Sequence, residues 1–77
     1  MPYERAGPSR YIALGESIRM ERLRRRLSQR ELGARLGVSH AAISDLENGK
    51  TKADLDRLSA IAAALGLTLE QLLSTAP

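Results

Sequence analysis

From about residue 12 to residue 73 the apolar side chains recur every three or four positions, which is the spacing of helices buried along one face. Leu14 and Ile18 lie four apart, and the next place on their stripe is taken by Arg22, so a first helix is predicted from Tyr11 or Ile12 to Arg25. Ser28-Gln29-Arg30-Glu31 has the form of a capping box and opens a second helix, which carries Leu32 and Leu36 inward and closes at Gly37. Gly33, between those leucines, is expected to let another helix come close. Ser39 is a good N-cap for a short third helix ending near Asn48-Gly49. Asp54 caps a fourth, with Leu55, Leu58, Ile61, Ala62 and Leu65 on one stripe and Gly66 as its stop. Thr68-Leu69-Glu70-Gln71 is a second capping box, and the helix it opens offers Leu69, Leu72 and Leu73 to the core. No stretch of β-branched residues alternates with polar ones, and Val38 is the only valine. The expected fold class is therefore all-α, a compact five-helix bundle over residues 12–77. Pro2, Gly7 and Pro8 mark residues 1–11 as a flexible, irregular N-terminal arm.

Composition narrows the class of protein. The 77 residues suffice for one small domain, and 43% hydrophobic with 27% charged residues is a globular balance. The absence of cysteine excludes disulfides and thiolate metal sites. The longest apolar run, Ala60 to Leu65, is far short of the ~20 residues that span a bilayer, so no membrane partner is expected and the cytoplasm is the expected location. Charge is uneven. Residues 1–52 hold 11 of the 12 lysines and arginines against six acids, a net +5, whereas residues 53–77 carry one arginine against three acids, a net −2. A basic excess confined to the first two thirds points to an anionic partner such as nucleic acid, although basic residues also decorate ordinary helix surfaces.

The second and third helices are joined by Gly37-Val38-Ser39, a tight turn that makes a helix-turn-helix. On helix three, Ile43, Leu46 and Glu47 fall on one side, and His40, Ala41, Ser44, Asp45 and Asn48 fall on the other. That second face lacks large apolar side chains, as approach to base edges in a DNA major groove requires. The stretch Leu27-Ser28-Gln29-Arg30-Glu31-Leu32 to Leu36-Gly37-Val38-Ser39, followed by Ile43-Ser44-Asp45-Leu46-Glu47-Asn48-Gly49-Lys50, resembles the Cro/repressor family of helix-turn-helix proteins, also called XRE. The closing Leu65-Gly66-Leu67-Thr68-Leu69 is similar to the family's ending, and Leu46 to Lys52 is especially similar to lambdoid phage repressors. The resemblance covers roughly residues 13–73. It implies a lambda-repressor-like domain that binds operator DNA, double-stranded and pseudo-palindromic, as a homodimer. It also implies phosphate contacts by Gln29 and by Asn48, Lys50 and Lys52, base contacts by His40, Ala41, Ser44 and Asp45, and no cofactor. Glu21 stands where the family usually has an apolar residue, and Arg26 where it often has glycine.

Each residue also has a plainer reading. His40 is the only histidine and lacks a second metal ligand four residues on, so no metal site is expected. Asp45 either accepts from a cytosine or orients a neighbouring arginine, because an acid facing DNA is otherwise repelled. Arg22 and Glu47 both fall on inward faces, where a charge needs a partner, and the resemblance implies the same structural ion pair. Arg24-Arg25-Arg26 reads equally as a phosphate-binding patch or a solvated helix end. Arg5 and Arg10 suit either a disordered tail or an arm entering a minor groove. Ser39, His40, Ser44 and Asp45 share one short exposed segment that cannot supply a buried, oriented triad, so no enzyme is expected. The expected function is a transcriptional regulator, most simply a repressor from a bacterium or phage working on nucleoid DNA. The alternatives are a protein-interaction module such as the antitoxin bound to a toxin, and a restriction-modification controller protein.

Overall fold

A computed structural model describes the backbone of residues 2–74 and the side chains of residues 11–74. Five helices follow one another: α1 (Pro2–Arg24), α2 (Gln29–Leu36), α3 (His40–Glu47), α4 (Leu55–Ala64) and α5 (Leu69–Ser74), with no strand among the described residues. The chain is an all-α bundle. α2 packs on α3, α1 lies across α3 and α5, and α4 closes against α2 and α5. Ile18, Leu32, Ile43, Ile61 and Leu72, one from each helix, are sealed from solvent together with Leu65. Each such side chain contributes about 1.5 to 3 kcal/mol by leaving water. No helix among the described residues is long and apolar enough to cross a membrane.

The helix ends obey local chemistry. Ser28, Ser39 and Asp54 accept from backbone amides one turn on, and the reciprocal boxes of Ser28 with Glu31 and Thr68 with Gln71 both form. At its start, α1 runs through the stretch expected to be an irregular arm. Pro2 at the first helical position loses only an amide that has no intrahelical partner there, and extending an existing helix avoids a second nucleation. The helix therefore begins nine or ten residues upstream of the expected Tyr11 or Ile12.

Two leucines depart from the expected stripes. Leu55 is 66% exposed and Leu73 47% exposed. Leu55 is the first residue of α4, and Leu73 is rotated about 100° from the buried Leu72. Both line an apolar groove of about 330 Å³ with Tyr11, Leu14, Ala53 and Leu58. Close backbone approaches also differ from expectation. At Gly33 the neighbour is the turn itself, since a Cβ there would sit 2.6 Å from the Val38 carbonyl oxygen. The helix-to-helix approach is at Gly15, where a Cβ would lie 2.5 Å from the carbonyl oxygen of Glu47, so α1 crosses the end of α3 at backbone distance.

The turns after α1, α2, α3 and α4 share one hydrogen-bond pattern, in which a residue with positive φ reverses the chain. Glycine fills it three times, at Gly37, Gly49 and Gly66, but after α1 the residue is Arg26 with φ 55. A left-handed non-glycine residue pays about 1 to 2 kcal/mol, partly offset by the greater unfolded-state entropy of glycine. Arg26→Gly is therefore expected to raise stability by about 1 kcal/mol, read as a higher urea midpoint at unchanged slope; a lower midpoint would contradict the strain.

Candidate nucleic-acid interface

The interface starts with how α2 and α3 are fixed. Ser28 Oγ accepts the Glu31 amide at 2.9 Å, and Glu31 Oε1 accepts the Ser28 amide at 2.8 Å. The bond from the Ser28 backbone amide, with a smaller contribution from the Ser28 side chain, favours the carboxylate and holds Glu31 below its ordinary value of 4.5. At the other end the Val38 amide donates to the Gly33 carbonyl at 2.9 Å across Gly37, whose φ of 71 suits glycine. Ser39 then caps α3 through the Ala42 amide at 3.2 Å. Three residues thus set the angle between the two helices.

Ile43, Leu46 and Glu47 bury the inner face of α3. Glu47 is the last residue of α3 and keeps its charge inside by means of three donors. Arg22 Nε donates to Glu47 Oε2 at 2.5 Å, Arg22 Nη2 to Oε1 at 3.0 Å, and Gln29 Nε2 to Oε1 at 3.1 Å. Arg22 Nη1 continues to the Leu27 carbonyl at 2.7 Å. The two side chains are only 9% and 3% exposed. A buried pair repays its lost hydration only when its polar atoms find partners, and among the described residues no buried side-chain nitrogen or oxygen lacks one. Through this cluster the end of α1, the following turn, the start of α2 and the end of α3 become one unit.

The outer face stays open. His40, Ala41, Asp45 and Asn48 are exposed, and Ser44 is half-buried. Asn48 Nδ2 approaches Ser44 Oγ at 3.4 Å, which couples one expected phosphate contact to one expected base contact. Lys50 and Lys52 are exposed on the loop after α3, without an acidic partner among the described residues. Gln29 is drawn toward Glu47 and half-buried, so one amide hydrogen is already engaged. Among the described residues no cluster of His, Asp and Glu could hold a metal ion.

Sequence reasoning missed the role of Glu21. Its carboxylate, 5% exposed, takes Arg24 Nη1 at 2.9 Å and Arg25 Nη1 at 2.6 Å. The arginine run is therefore divided: two members are tied back to α1 and Arg26 is not among Glu21's ion pairs. The signal was present in the spacing, since Glu21 precedes Arg24 by three and Arg25 by four residues. Arg35 was missed as well. Its Nη1 donates to the Ala64 carbonyl at 3.0 Å, fastening α2 to the end of α4. The side chains of Arg5 and Arg10 lie outside the described residues.

A bundle that fixes a short helix by its inner face and leaves small, hydrogen-bonding side chains on the outer one is a DNA-binding regulator of the helix-turn-helix class. The Helix-turn-helix family model HTH_3 matches residues 18–72, and the chain belongs to that family, of the XRE type. Solved structures agree. The clp gene regulator ClgR from Corynebacterium glutamicum is 29% identical, with 86% of this chain and 85% of that one covered and a TM-score of 0.83. A hypothetical transcription factor from Neisseria, NHTF, is 30% identical over 82% and 72% of the two chains, with a TM-score of 0.77. The restriction-modification controller protein C.AhdI from Aeromonas hydrophila shares the fold at 23% identity, 84% and 94% coverage and a TM-score of 0.80.

Removing one partner of the buried pair strands the other. Glu47→Ala is expected to cost about 3 to 5 kcal/mol in chemical denaturation, more than Arg24→Ala, whose side chain is largely in solvent. Equal small losses for the two variants would mean that Glu47 is not stably buried.

Proposed function

We propose that this regulator recognises a pseudo-palindromic operator as a homodimer and represses by occupying it, without catalytic chemistry of its own. The observation that carries the reading is the outer face of α3: exposed, free of large apolar groups, and held rigidly from behind by the Arg22–Glu47 pair. His40 has a donor or acceptor for a base edge, Ala41 suits a thymine methyl, and Ser44 accepts or donates. Asp45 shares this face. Lys50 and Lys52 supply cations for phosphates, Asn48 and the free amide hydrogen of Gln29 supply neutral donors, and none of these reads sequence. In this reading residues 12–77 form the binding domain, and the protein works in the cytoplasm on bacterial or phage DNA.

A homodimer follows from the small footprint of α3. Eight residues meet too few bases for useful discrimination, so two copies about 34 Å apart, one helical turn, would read two half-sites. Within Leu67 to Leu73 little apolar surface is left for a seam, because Leu72 is buried and Leu67 and Leu69 are half-buried. Leu73 remains, and the groove joins it to Leu55 and Tyr11 as one apolar surface for a second copy.

The test is selection of duplexes from a random pool, then affinity against salt. With roughly 6 to 10 phosphates contacted per dimer, affinity is expected to fall by about 10³ to 10⁵ between 50 and 200 mM salt. Lys50→Ala should weaken every duplex alike and flatten the salt slope by about one unit per protomer, whereas replacing His40 or Ser44 should change the selected base at a cost of about 1 to 3 kcal/mol. Sedimentation of the complex is expected to show two protomers per duplex. No binding to any duplex at low salt would refute the reading, and one protomer per selected site would refute the dimer.

A further inference from the structure

The face that meets DNA has a charge problem. Between His40 and Asn48 the outer side of α3 holds no lysine or arginine, and its one charged group is Asp45. A lone carboxylate carried toward phosphates is repelled, which lowers affinity for every sequence. The structure contains the means to offset this. Asp45 lines a groove of about 340 Å³ with Lys52 and Arg57, above apolar residues that include Ala42 and Leu46. The groove's other acid, Asp54, has its Oδ1 engaged in capping α4 by accepting the Arg57 amide at 2.8 Å. Asp45 has no ion pair among the described residues and is open to a cation.

Arg57 is the third residue of α4, in a first turn where the helix macrodipole disfavours positive charge. It is exposed, and no carboxylate pairs with it among the described residues. Its charge therefore gains nothing from the dipole of the helix it sits on. Its position does place Arg57 in the lining of the groove that Asp45 also lines. Arg57 is also the only basic residue after Lys52, in a segment that is otherwise acidic.

We propose that Asp45 is a positioning residue for Arg57: the carboxylate holds one edge of the guanidinium across the groove, and the other edge donates to a DNA phosphate. The planar fork of arginine has donors for both at once, which a lysine ammonium at Lys52 satisfies less directionally. Asp45 then acts on DNA through Arg57 and reads no base. The inference rests on the DNA-binding reading and adds to it a contact from α4, outside the helix-turn-helix.

The test is a double-mutant cycle on a duplex selected from the random pool by the parent protein, with affinities measured at fixed low salt. Arg57→Ala should weaken binding and lower the salt slope by about one unit per protomer. Asp45→Ala should weaken binding about fivefold when Arg57 is present, the upper end for a solvent-facing charge pair. In the Arg57→Ala background the same substitution should strengthen binding, because only a repelled acid is being removed. That reversal of sign is the expected result, with the base preference of Asp45→Ala the same as the parent's. A gain of affinity in both backgrounds, or a changed base preference that persists without Arg57, would overturn the proposal. Failure of the parent to bind any duplex would instead refute DNA binding itself. Both residues are exposed, and unchanged thermal melts of the variants would confirm that folding is not what the affinities report.

Discussion

The carboxylate of Glu47 is the constraint on which the helix-turn-helix depends. It sits at the negative end of α3, inside the bundle, where an unpaired charge would be untenable. Three donors from two other segments converge on it. Stability alone does not require it, because buried ion pairs often do no better than hydrophobic packing. Packing, however, tolerates sliding and rotation, whereas a forked guanidinium against a carboxylate fixes distance and plane. Gly15 acts in the same direction by bringing the α1 backbone against the carbonyl of Glu47. The result is a helix α3 whose rotation about its own axis is set from behind. In the proposed function, that rotation decides which side chains meet DNA.

A second theme is the disposal of charge. A net charge of +3 overstates how evenly cations are available, because several are engaged within the fold. Arg22 is consumed by Glu47, and Arg24 and Arg25 by Glu21. Lys50 and Lys52 remain exposed beside α3. Partition of this kind favours a directed electrostatic surface over diffuse attraction, since exposed charges act within a Debye length of about 8 to 10 Å. The acid on α3 and the arginine on α4 belong to the same arrangement.

Local features were legible in the chain before any fold was considered. Ser28 with Glu31, Thr68 with Gln71, the caps Ser39 and Asp54, and the stops Gly37 and Gly66 all act within four residues, so their spacing carries their chemistry. The inner face of α3 was legible for a related reason: Ile43, Leu46 and Glu47 share a side by helical period alone. Other features were hidden. Leu55 and Leu58 share a stripe, yet one is exposed and the other buried, because period fixes direction and not how far the neighbouring helices extend. Residues 2–10 read as irregular by composition, while their backbone continues a helix already nucleated downstream.

The sequence by itself determined the helices, their ends apart from the start of α1, the three-residue turn and the two opposed faces of α3, since these follow from interactions along one short stretch of chain. Only the tertiary structure decided that Gly15 meets the end of α3, that Gln29 shares Glu47 with Arg22, and that Asp45 and Arg57 face one groove. Those juxtapositions join segments 12 to 32 residues apart. No periodicity reports them, because they depend on how close packing of five helices brings separate surfaces together.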